Sequence, residues 1–202
     1  MPKTECAGLQ DFIGQLGTII GRGWPQGDTV GAVKDVVTAA LETKGWLPER
    51  CLRPSPDGYA RHLLFKDPRD RFAIVVMVWC SGQKTPIHDH GGIWCVEGVY
   101  EGRIRVTRYD QDGPVAGGVT RFHASGVIEA GTGETGALIP PVEHHSIENP
   151  YERTAVTVHT YGCDMKSCQI FLPRPDGTYE VHTKDLCYTS RPEPLPGAAL
   201  GS

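Results

Sequence analysis

The first 45 residues alternate apolar and polar positions with the period of an α-helix. Apolar residues recur three and four positions apart over residues 9–20, and a second series of the same kind covers residues 30–41. Gly23-Trp24-Pro25 separates the two series, and Asp28-Thr29 provides the side-chain oxygens that cap helix N-termini. The pattern therefore predicts an N-terminal helical segment over residues 1–48, with its second helix capped at Asp28-Thr29.

After Pro48 the pattern changes to short runs of β-branched and aromatic residues. Turns rich in glycine, proline and aspartate separate these runs, which is typical of an all-β sandwich or barrel. We expect one domain over residues 1–202, with a β-barrel at residues 49–185 and a C-terminal extension at residues 186–202. The predicted strands are residues 59–65, 72–79, 93–100, 102–110, 126–129, 135–139, 145–148, 155–161, 168–172 and 178–182.

The composition argues against several classes of function. The 202 residues carry a net charge of −4, which gives no electrostatic footprint for nucleic acid or for an anionic membrane. No apolar run is long enough to cross a bilayer or to serve as a signal peptide. The seven cysteines are odd in number and form no C-x-x-C pair, so we expect a reduced, cytoplasmic protein without a structural zinc site. We also expect a monomer or a weak homo-oligomer.

Histidines cluster at two separate places in the β-rich region. In His88-Asp89-His90 the two imidazoles are two positions apart, so on a strand they share one face while Asp89 points away. A second pair, His144-His145, follows a proline-rich turn. Imidazoles that converge in this way are common ligands of transition metals. The sequence therefore predicts a metal site made by His88, His90 and one histidine of the second pair.

The first histidine segment resembles the first motif of the cupin superfamily, G-x5-H-x-H-x3-4-E-x6-G. Gly82, His88, His90 and Gly102 fall in register with that motif. The resemblance implies an all-β cupin fold, which is a double-stranded β-helix or jelly-roll barrel, here preceded by N-terminal α-helices.

The second histidine segment is similar to the second cupin motif, P-x-G-x2-H-x3-N. Pro140, His145 and Asn149 fall in register, and Val142 stands where glycine is usual. The register makes His145 the expected third metal ligand. His144 would point elsewhere on a regular strand, and we interpret it as a solvent-facing histidine or as a neighbour of the ligands.

Cys95 occupies the glutamate position of the first motif, and we interpret Glu97, two residues further on, as an ordinary strand residue. The metal then has three neutral imidazole ligands and no protein anion. An Fe(II) ion held in this way keeps its charge and its open positions, so it attracts a thiolate and still binds O₂. We predict Fe(II) as the cofactor, with a small thiol and O₂ as partners. Imidazoles select iron only weakly, so manganese, nickel and zinc stay open.

A three-histidine cupin of this pattern resembles the cysteine dioxygenase family of thiol dioxygenases. The segment beginning at Tyr59 matches the family's Tyr-x-Arg, in its bacterial type with arginine at the carboxylate-binding position. This resemblance implies that Arg61, with Tyr59 beside it, binds the substrate. A planar guanidinium suits a carboxylate because it donates two parallel hydrogen bonds.

A second segment supports the same resemblance. Thr157, His159 and Tyr161 match the family's Ser-x-His-x-Tyr strand, with threonine keeping the hydroxyl group. The resemblance implies that Tyr161 positions oxygen and protons, that His159 orients Tyr161, and that Thr157 orients His159. Cys95 matches the cysteine that forms a thioether with the active-site tyrosine in mammalian members, so a Cys95–Tyr161 crosslink is a further hypothesis.

The resemblance implies that the chain converts L-cysteine and O₂ to cysteine sulfinic acid. Two alternatives stay open at this point. One is 3-mercaptopropionate dioxygenase activity on the same fold, although relatives of that type usually have glutamine at the position of Arg61. The other is a cupin that binds a metal without catalysis, which would leave Arg61 and the strand of Tyr161 unexplained.

Overall fold

The computed structural model of the chain describes residues 3–141 and 144–192. Two helices, α1 (Lys3–Ile20) and α2 (Gln26–Leu41), come first, and a short 3-10 helix (Glu49–Leu52) follows them. The strands of the described chain are β1 (Ala60–Lys66), β2 (Ala73–Trp79), β3 (Ile87–His88), β4 (Cys95–Glu101), β5 (Arg103–Gln111), β6 (Val119–Thr120), β7 (Phe122–Gly131), β8 (Thr135–Leu138), β9 (His145–Glu148), β10 (Ala155–Tyr161), β11 (Ser167–Pro173) and β12 (Tyr179–Asp185).

The strands form two antiparallel sheets around a common interior. The five-stranded sheet has the order β1-β2-β10-β4-β8, and the seven-stranded sheet has the order β6-β12-β11-β3-β9-β5-β7. Strands that are distant in sequence are neighbours in both sheets, because the chain crosses repeatedly from one sheet to the other. This is the topology of a double-stranded β-helix. The predicted all-β cupin fold with N-terminal α-helices is therefore confirmed.

Strand β10 serves two different interiors. Its seven residues are all buried, and successive side chains of a strand face opposite sides of the sheet. Val156 and Val158 pack in a hydrophobic cluster with the helices, whereas His159 and Tyr161 line a cleft inside the barrel. The sheet thus separates an apolar core beneath the helices from a barrel interior that contains polar groups.

The helices cover the outer face of the five-stranded sheet. Leu16 of α1 and Val33 of α2 are fully buried in the same cluster as Ile74 of β2. Gly98 of β4 allows α2 to approach closely, since a Cβ atom at that position would lie 2.5 Å from Cδ1 of Leu41. This packing attaches the helices to the strands that carry the polar interior.

Some element boundaries differ from the prediction. Helix α2 begins at Gln26, so the predicted cap at Asp28-Thr29 is wrong. Both residues lie in the first turn of the helix, where the negative charge of Asp28 interacts favourably with the positive end of the helix dipole. Strands β3 and β6 were not expected, because two residues are too few to show a periodic pattern. Strand β7 is longer than the predicted residues 126–129, since most of its side chains are exposed and alternate weakly.

Residues 186–190 form a strap along the edge of β1. The backbone N–H of Leu63 donates to the carbonyl of Ser190 at 2.9 Å, and the N–H of Thr189 donates to the carbonyl of Arg61 at 2.7 Å. The strap is the first part of the predicted C-terminal extension. Residues 193–202 of that extension, and Val142 of the second motif, lie outside the described residues.

Within residues 3–141 and 144–192, every helix is too short or too polar to cross a membrane.

Candidate metal centre

Three histidines meet in the barrel interior. His88 of β3 lies directly opposite His145 of β9 in the antiparallel register, and His90 follows two residues after His88. The ring centroids are 4.3 Å apart for His88 and His145, 4.9 Å for His90 and His145, and 5.6 Å for His88 and His90. One ring nitrogen from each histidine lies within 4.8 Å of the others. The structure thus brings together the three residues that the motifs single out.

The turn after β3 holds His90 in this group. Strand β3 ends at His88, so strand alternation alone does not place the second imidazole. Asp89 points away from the site, and its Oδ1 accepts hydrogen bonds from the backbone N–H groups of Gln169 at 2.8 Å and of Gly91 at 3.2 Å. These bonds fix the turn, which directs the ring of His90 back into the barrel.

His144, the alternative third ligand, lies outside this group. Its ring packs against Phe122 and Phe171, with centroid distances of 5.0 and 5.3 Å. His145 faces the barrel interior and is fully buried. His144 therefore packs against aromatic rings, whereas His145, the next residue, belongs to the candidate metal centre.

The imidazoles are suited to bind a metal ion. Burial lowers the pKa of His88 to about 4, and burial lowers the pKa of His90 well below its usual value, with the nearby His145 and His88 adding to the effect. Neutral imidazoles have a free lone pair for a divalent transition metal, whereas protonated ones do not. The donor set fits such an ion, and three nitrogen ligands leave coordination positions for other molecules.

Arg61 lies beside the histidines on β1 and is only 6% exposed. Its Nη1 donates to the carbonyl of Cys187 at 3.1 Å, and its guanidinium lies over the ring of Tyr188 at 5.2 Å. Among the described residues, its buried Nη2 has no hydrogen-bond partner. A buried donor without an acceptor is costly, so this nitrogen is prepared to receive an anionic group in the cleft that Arg61 lines.

The strap that positions Arg61 is itself anchored by charge. The hydroxyl of Tyr188 donates to Asp164 Oδ1 at 2.5 Å, and Lys66 and Lys166 also bind this carboxylate. Burial alone would raise the pKa of Asp164, but the hydrogen bonds from Lys166, Tyr188 and Lys66 hold it at about 2. Sequence reasoning missed these residues, because nothing in the local pattern connects Tyr188 with a strand more than a hundred residues earlier.

Tyr161 and Cys95 are direct neighbours across β10 and β4. Both are buried, and the Tyr161 ring lies 5.4 Å from that of His90. Burial and the nearby Glu97 raise the pKa of Cys95 well above its usual value, against a hydrogen bond with Tyr161. Burial also raises the pKa of Tyr161, so both side chains are neutral at ordinary pH. The two predicted crosslink partners therefore lie side by side.

Trp79, Thr157 and His159 form a hydrogen-bonded series beside Tyr161. Thr157 Oγ1 lies 2.8 Å from Nε2 of His159, and the indole N–H of Trp79 donates to the same hydroxyl at 2.9 Å. The His159 ring is parallel to that of Tyr161 with centroids 6.0 Å apart. The described hydrogen bonds do not join these two rings, so His159 contacts Tyr161 by packing.

Glu97 is a residue whose position sequence reasoning missed. It is 8% exposed, and its Oε2 lies 3.6 Å from Nδ1 of His159. Burial raises the pKa of Glu97 to about 7, against the charge of Arg108. The alternation of side chains along β4 could have predicted this position. Cys95 and Glu97 are two residues apart, so both side chains face the barrel interior. It is therefore not an ordinary strand residue.

The cleft beside the histidines is small and positively charged. Tyr59 forms part of its wall and stacks on Trp79 at 4.5 Å. Arg61 and Lys184 contribute positive charge, and none of the described lining residues is acidic. This charge favours a small molecule that carries a negative group. Its remaining lining residues are Met77, Thr85, Pro86, Ile147, Met165, Cys168, Ile170 and Leu186, together with the histidines and Tyr161.

Several solved structures are similar to the chain. A protein from Thermus thermophilus is 19% identical with a TM-score of 0.45, covering 60% of this chain and 97% of that one. A conserved protein with a double-stranded β-helix domain from Klebsiella pneumoniae is 16% identical with a TM-score of 0.47, covering 60% and 86%. An RmlC-like cupin protein from Desulfovibrio desulfuricans is 18% identical with a TM-score of 0.43, covering 59% and 96%.

A family profile gives a more specific result. The profile described as cysteine dioxygenase type I matches residues 23–174. The match begins just before α2, includes the three histidines, Arg61 and Tyr161, and ends after β11. The chain therefore belongs to the cysteine dioxygenase type I family, which is a dioxygenase family within the cupins.

Proposed function

We propose that the protein is an iron-dependent thiol dioxygenase that converts L-cysteine and O₂ to cysteine sulfinic acid. The observation that carries the proposal is the combination of three converging imidazoles, of which His90 and His145 are buried, with the adjacent guanidinium of Arg61, whose Nη2 has no partner among the described residues. The imidazoles suit a metal that binds a thiolate, and the guanidinium suits the carboxylate of the same small molecule. The absence of acidic groups from the described cleft lining favours this negative charge.

Each residue has a defined part in the proposed reaction. His88, His90 and His145 would hold an Fe(II) ion, which when bound supplies the electron chemistry and the positions for thiolate and O₂. Arg61 holds the substrate carboxylate and so orients the sulfur. Tyr161 remains a neutral phenol that can donate a hydrogen bond next to His90.

The remaining groups support this arrangement. Tyr59 and the methionines of the cleft exclude water from the substrate. In the overall reaction both oxygen atoms become bonded to sulfur, which is oxidised while O₂ is reduced, and the thiol proton is released to solvent. The His159–Thr157 pair keeps the strand of Tyr161 in place.

The test is O₂ uptake by the iron-loaded protein with L-cysteine, 3-mercaptopropionate and cysteamine. We expect the highest kcat/KM with L-cysteine and the lowest with cysteamine, which has no carboxylate for Arg61. Metal analysis of the purified protein should find iron in preference to manganese, nickel or zinc. The proposal fails if the iron-loaded protein consumes no O₂ with any of the three thiols.

One observation favours 3-mercaptopropionate as an alternative substrate. The described lining of the cleft contains Arg61 and Lys184 but no carboxylate that would neutralise the ammonium group of cysteine. A substrate without an amine would avoid that mismatch unless the metal binds the amine. A higher kcat/KM for 3-mercaptopropionate than for L-cysteine would establish this alternative.

We also propose that Cys95 and Tyr161 form a thioether during turnover. A new bond would join the sulfur to the ring carbon beside the hydroxyl, the S–H and ring C–H bonds would break, and their two hydrogens and two electrons would reduce O₂ to hydrogen peroxide. Their pairing across β4 and β10 supports the proposal. Mass spectrometry of peptides after turnover should find the linked pair with a mass lower by two hydrogens, and a fully alkylatable Cys95 would refute it.

We retain the cytoplasmic location and a monomeric or weakly associated state as proposals. Cell fractionation and light scattering test them directly.

A further inference from the structure

Two buried polar atoms behind the metal cleft face each other without a hydrogen bond. Oε2 of Glu97 and Nδ1 of His159 are 3.6 Å apart, which exceeds hydrogen-bond distance. Within the described chain, neither atom has any other hydrogen-bond partner. Buried polar atoms in this state destabilise a folded protein, so their presence requires an explanation. A proton held between the two groups would provide one.

Glu97 also lines a second cavity, of about 310 Å³. None of the described residues that line this cavity lines the metal cleft. Thr157 lies on the side of the second cavity and His159 on the side of the cleft, and the two are hydrogen-bonded. These residues therefore form part of the wall between two separate spaces, with the Glu97 carboxyl group on the far side from the metal.

The second cavity is open to solvent beside Glu97. Its lining includes the exposed residues Lys34, Arg108 and Glu134. Gly136 lies opposite Glu97 in the register of β4 and β8, and a Cβ atom there would lie 3.7 Å from Oε1 of Glu97. The missing side chain leaves space next to the carboxyl group. Water can therefore approach Glu97 without passing the metal or the substrate.

The hydrogen bonds of His159 couple its tautomer to Glu97. The indole N–H of Trp79 can only donate, so the hydroxyl of Thr157 accepts from it and can donate its own proton to Nε2 of His159. The ring proton then lies on Nδ1, facing an ionised Glu97. If Glu97 is protonated it donates to Nδ1, and the ring proton moves to Nε2, which donates to Thr157.

We propose that the ionisation of Glu97 sets which ring nitrogen of His159 carries the proton, and that Glu97 is thereby a positioning residue for the strand of Tyr161. The proton exchanges with solvent through the second cavity. Only the link to catalysis rests on the proposed function; the tautomer switch is a property of the folded chain.

Several charged or titratable groups face Glu97. Burial lowers the pKa of His159 to about 3 and raises those of Cys95 and Tyr161 well above their usual values. Burial raises the pKa of Glu97 itself to about 7. Among these four, Glu97 is the group that changes ionisation near neutral pH. The remaining groups around the carboxyl are Arg108 on β5, Lys34 on α2 and Glu134 between β7 and β8.

The experiment is ¹⁵N NMR of the histidine rings across neutral pH. The full chain is measured without metal and with Zn²⁺, a diamagnetic ion that accepts imidazole ligands. We expect the Nδ1 and Nε2 signals of His159 to exchange their protonated and unprotonated shifts, with a midpoint near pH 7. Glu97→Gln should abolish this transition. Glu101→Gln, an exposed carboxylate on the same strand, should retain it.

Two results would overturn the proposal: a wild-type His159 whose tautomer does not change with pH, or a transition that persists in Glu97→Gln. Thermal unfolding at pH 8 provides a fold control. Because the pKa of Glu97 is raised in the folded state, its ionised form costs stability as the pH rises. Glu97→Gln should therefore unfold no earlier than wild type at pH 8, and an earlier unfolding would contradict the assigned ionisation.

Steady-state kinetics test the catalytic link separately. In the iron-loaded protein, Glu97→Gln should lower kcat by about 10-fold, the usual effect of removing a group that orients a functional side chain, with little change in KM. It should also flatten the pH profile of kcat near neutral pH. An unchanged kcat would mean that Glu97 controls the tautomer of His159 without affecting catalysis, and it would overturn the positioning role. Absence of O₂ uptake in wild type would instead count against the proposed function.

Discussion

The two faces of the five-stranded sheet use the same strands for opposite purposes. On the helix side the buried residues are mostly hydrophobic, such as Leu16, Ile74 and Val158, although Thr160 on the same face is also buried. On the barrel side, Arg61 and Glu97 are also buried, yet each has a polar atom without a partner among the described residues. The helix side stabilises the fold, and that stability allows the barrel side to hold costly polar groups in position.

The strongest way to break this comparison is to remove a candidate metal ligand. His145→Ala should abolish bound iron and O₂ uptake, because two imidazoles cannot hold the ion in the same geometry. The fold should persist, since the helix-side cluster is intact. Metal analysis and O₂ uptake measure the loss, and circular dichroism reports the fold. His144→Ala is the matched control, and retention of iron by His145→Ala with its loss from His144→Ala would reverse the ligand assignment.

A mutation on the helix side should have the opposite result. Leu16 is fully buried, so Leu16→Ala should lower the free energy of unfolding by about 2–5 kcal/mol through lost burial and a residual cavity. The kcat/KM at 25 °C should stay unchanged. Denaturant unfolding measures the first quantity and O₂ uptake the second. Val127→Ala, at an exposed position, should change stability by less than about 0.5 kcal/mol.

A third prediction separates substrate binding from metal binding on the barrel side. Arg61→Gln should lower kcat/KM for L-cysteine by about 10- to 100-fold, the value of a hydrogen bond to a charged group. Iron content should be unaffected. Cysteamine has no carboxylate, so its kcat/KM should be nearly equal in wild type and variant. An equal fall for both thiols would mean that Arg61 supports the cleft instead of binding the carboxylate.

The smallest expected effect concerns the strap. Tyr188→Phe removes the bond to Asp164 and should lower the free energy of unfolding by about 1 kcal/mol, with a few-fold increase in KM as Arg61 loses alignment. Tyr109→Phe is the control, because no described hydrogen bond uses its hydroxyl. An unchanged KM would separate the strap from substrate binding.

The same anchor gives a pH dependence with a defined sign. The folded-state pKa of Asp164, about 2, is lower than its ordinary value of 3.8. Its contribution to stability is therefore fully present above the ordinary pKa and is lost as the pH falls towards 2. The stability difference between wild type and Asp164→Asn should shrink over that range in acid unfolding experiments, and a difference that grew would contradict the assignment.

Much of the fold could be predicted from the sequence, for reasons that the two faces make clear. Strand β10 is a run rich in β-branched and aromatic residues, which is typical of a strand, and both β9 and β10 have the predicted bounds. The three histidines and Arg61 were identified from motif spacing. Strand β3 has only two residues, Ile87 and His88, and its position is determined by pairing with β11 and β9. The sequence of β3 itself is too short to predict a strand.

The residues missed by the sequence share a different property. Tyr188 and Asp164 act through contacts made by distant parts of the chain. Glu97 has its effect because Gly136 leaves space beside it and His159 faces it. Local periodicity gives the face on which a side chain lies, but the neighbours on that face come from tertiary packing.

The strap has a consequence for solubility. Strand β1 is at the edge of the five-stranded sheet, and such an edge can pair with another chain and start aggregation. The backbone bonds from residues 186–190 cover part of this edge, at Arg61 and Leu63. A chain that loses these residues would expose unpaired backbone groups at the edge of β1. It would also lose the contacts that hold the Arg61 side chain. Copies that lack residues 186–190 should therefore be prone to aggregate, and Arg61 in them should be less well placed to bind the proposed carboxylate.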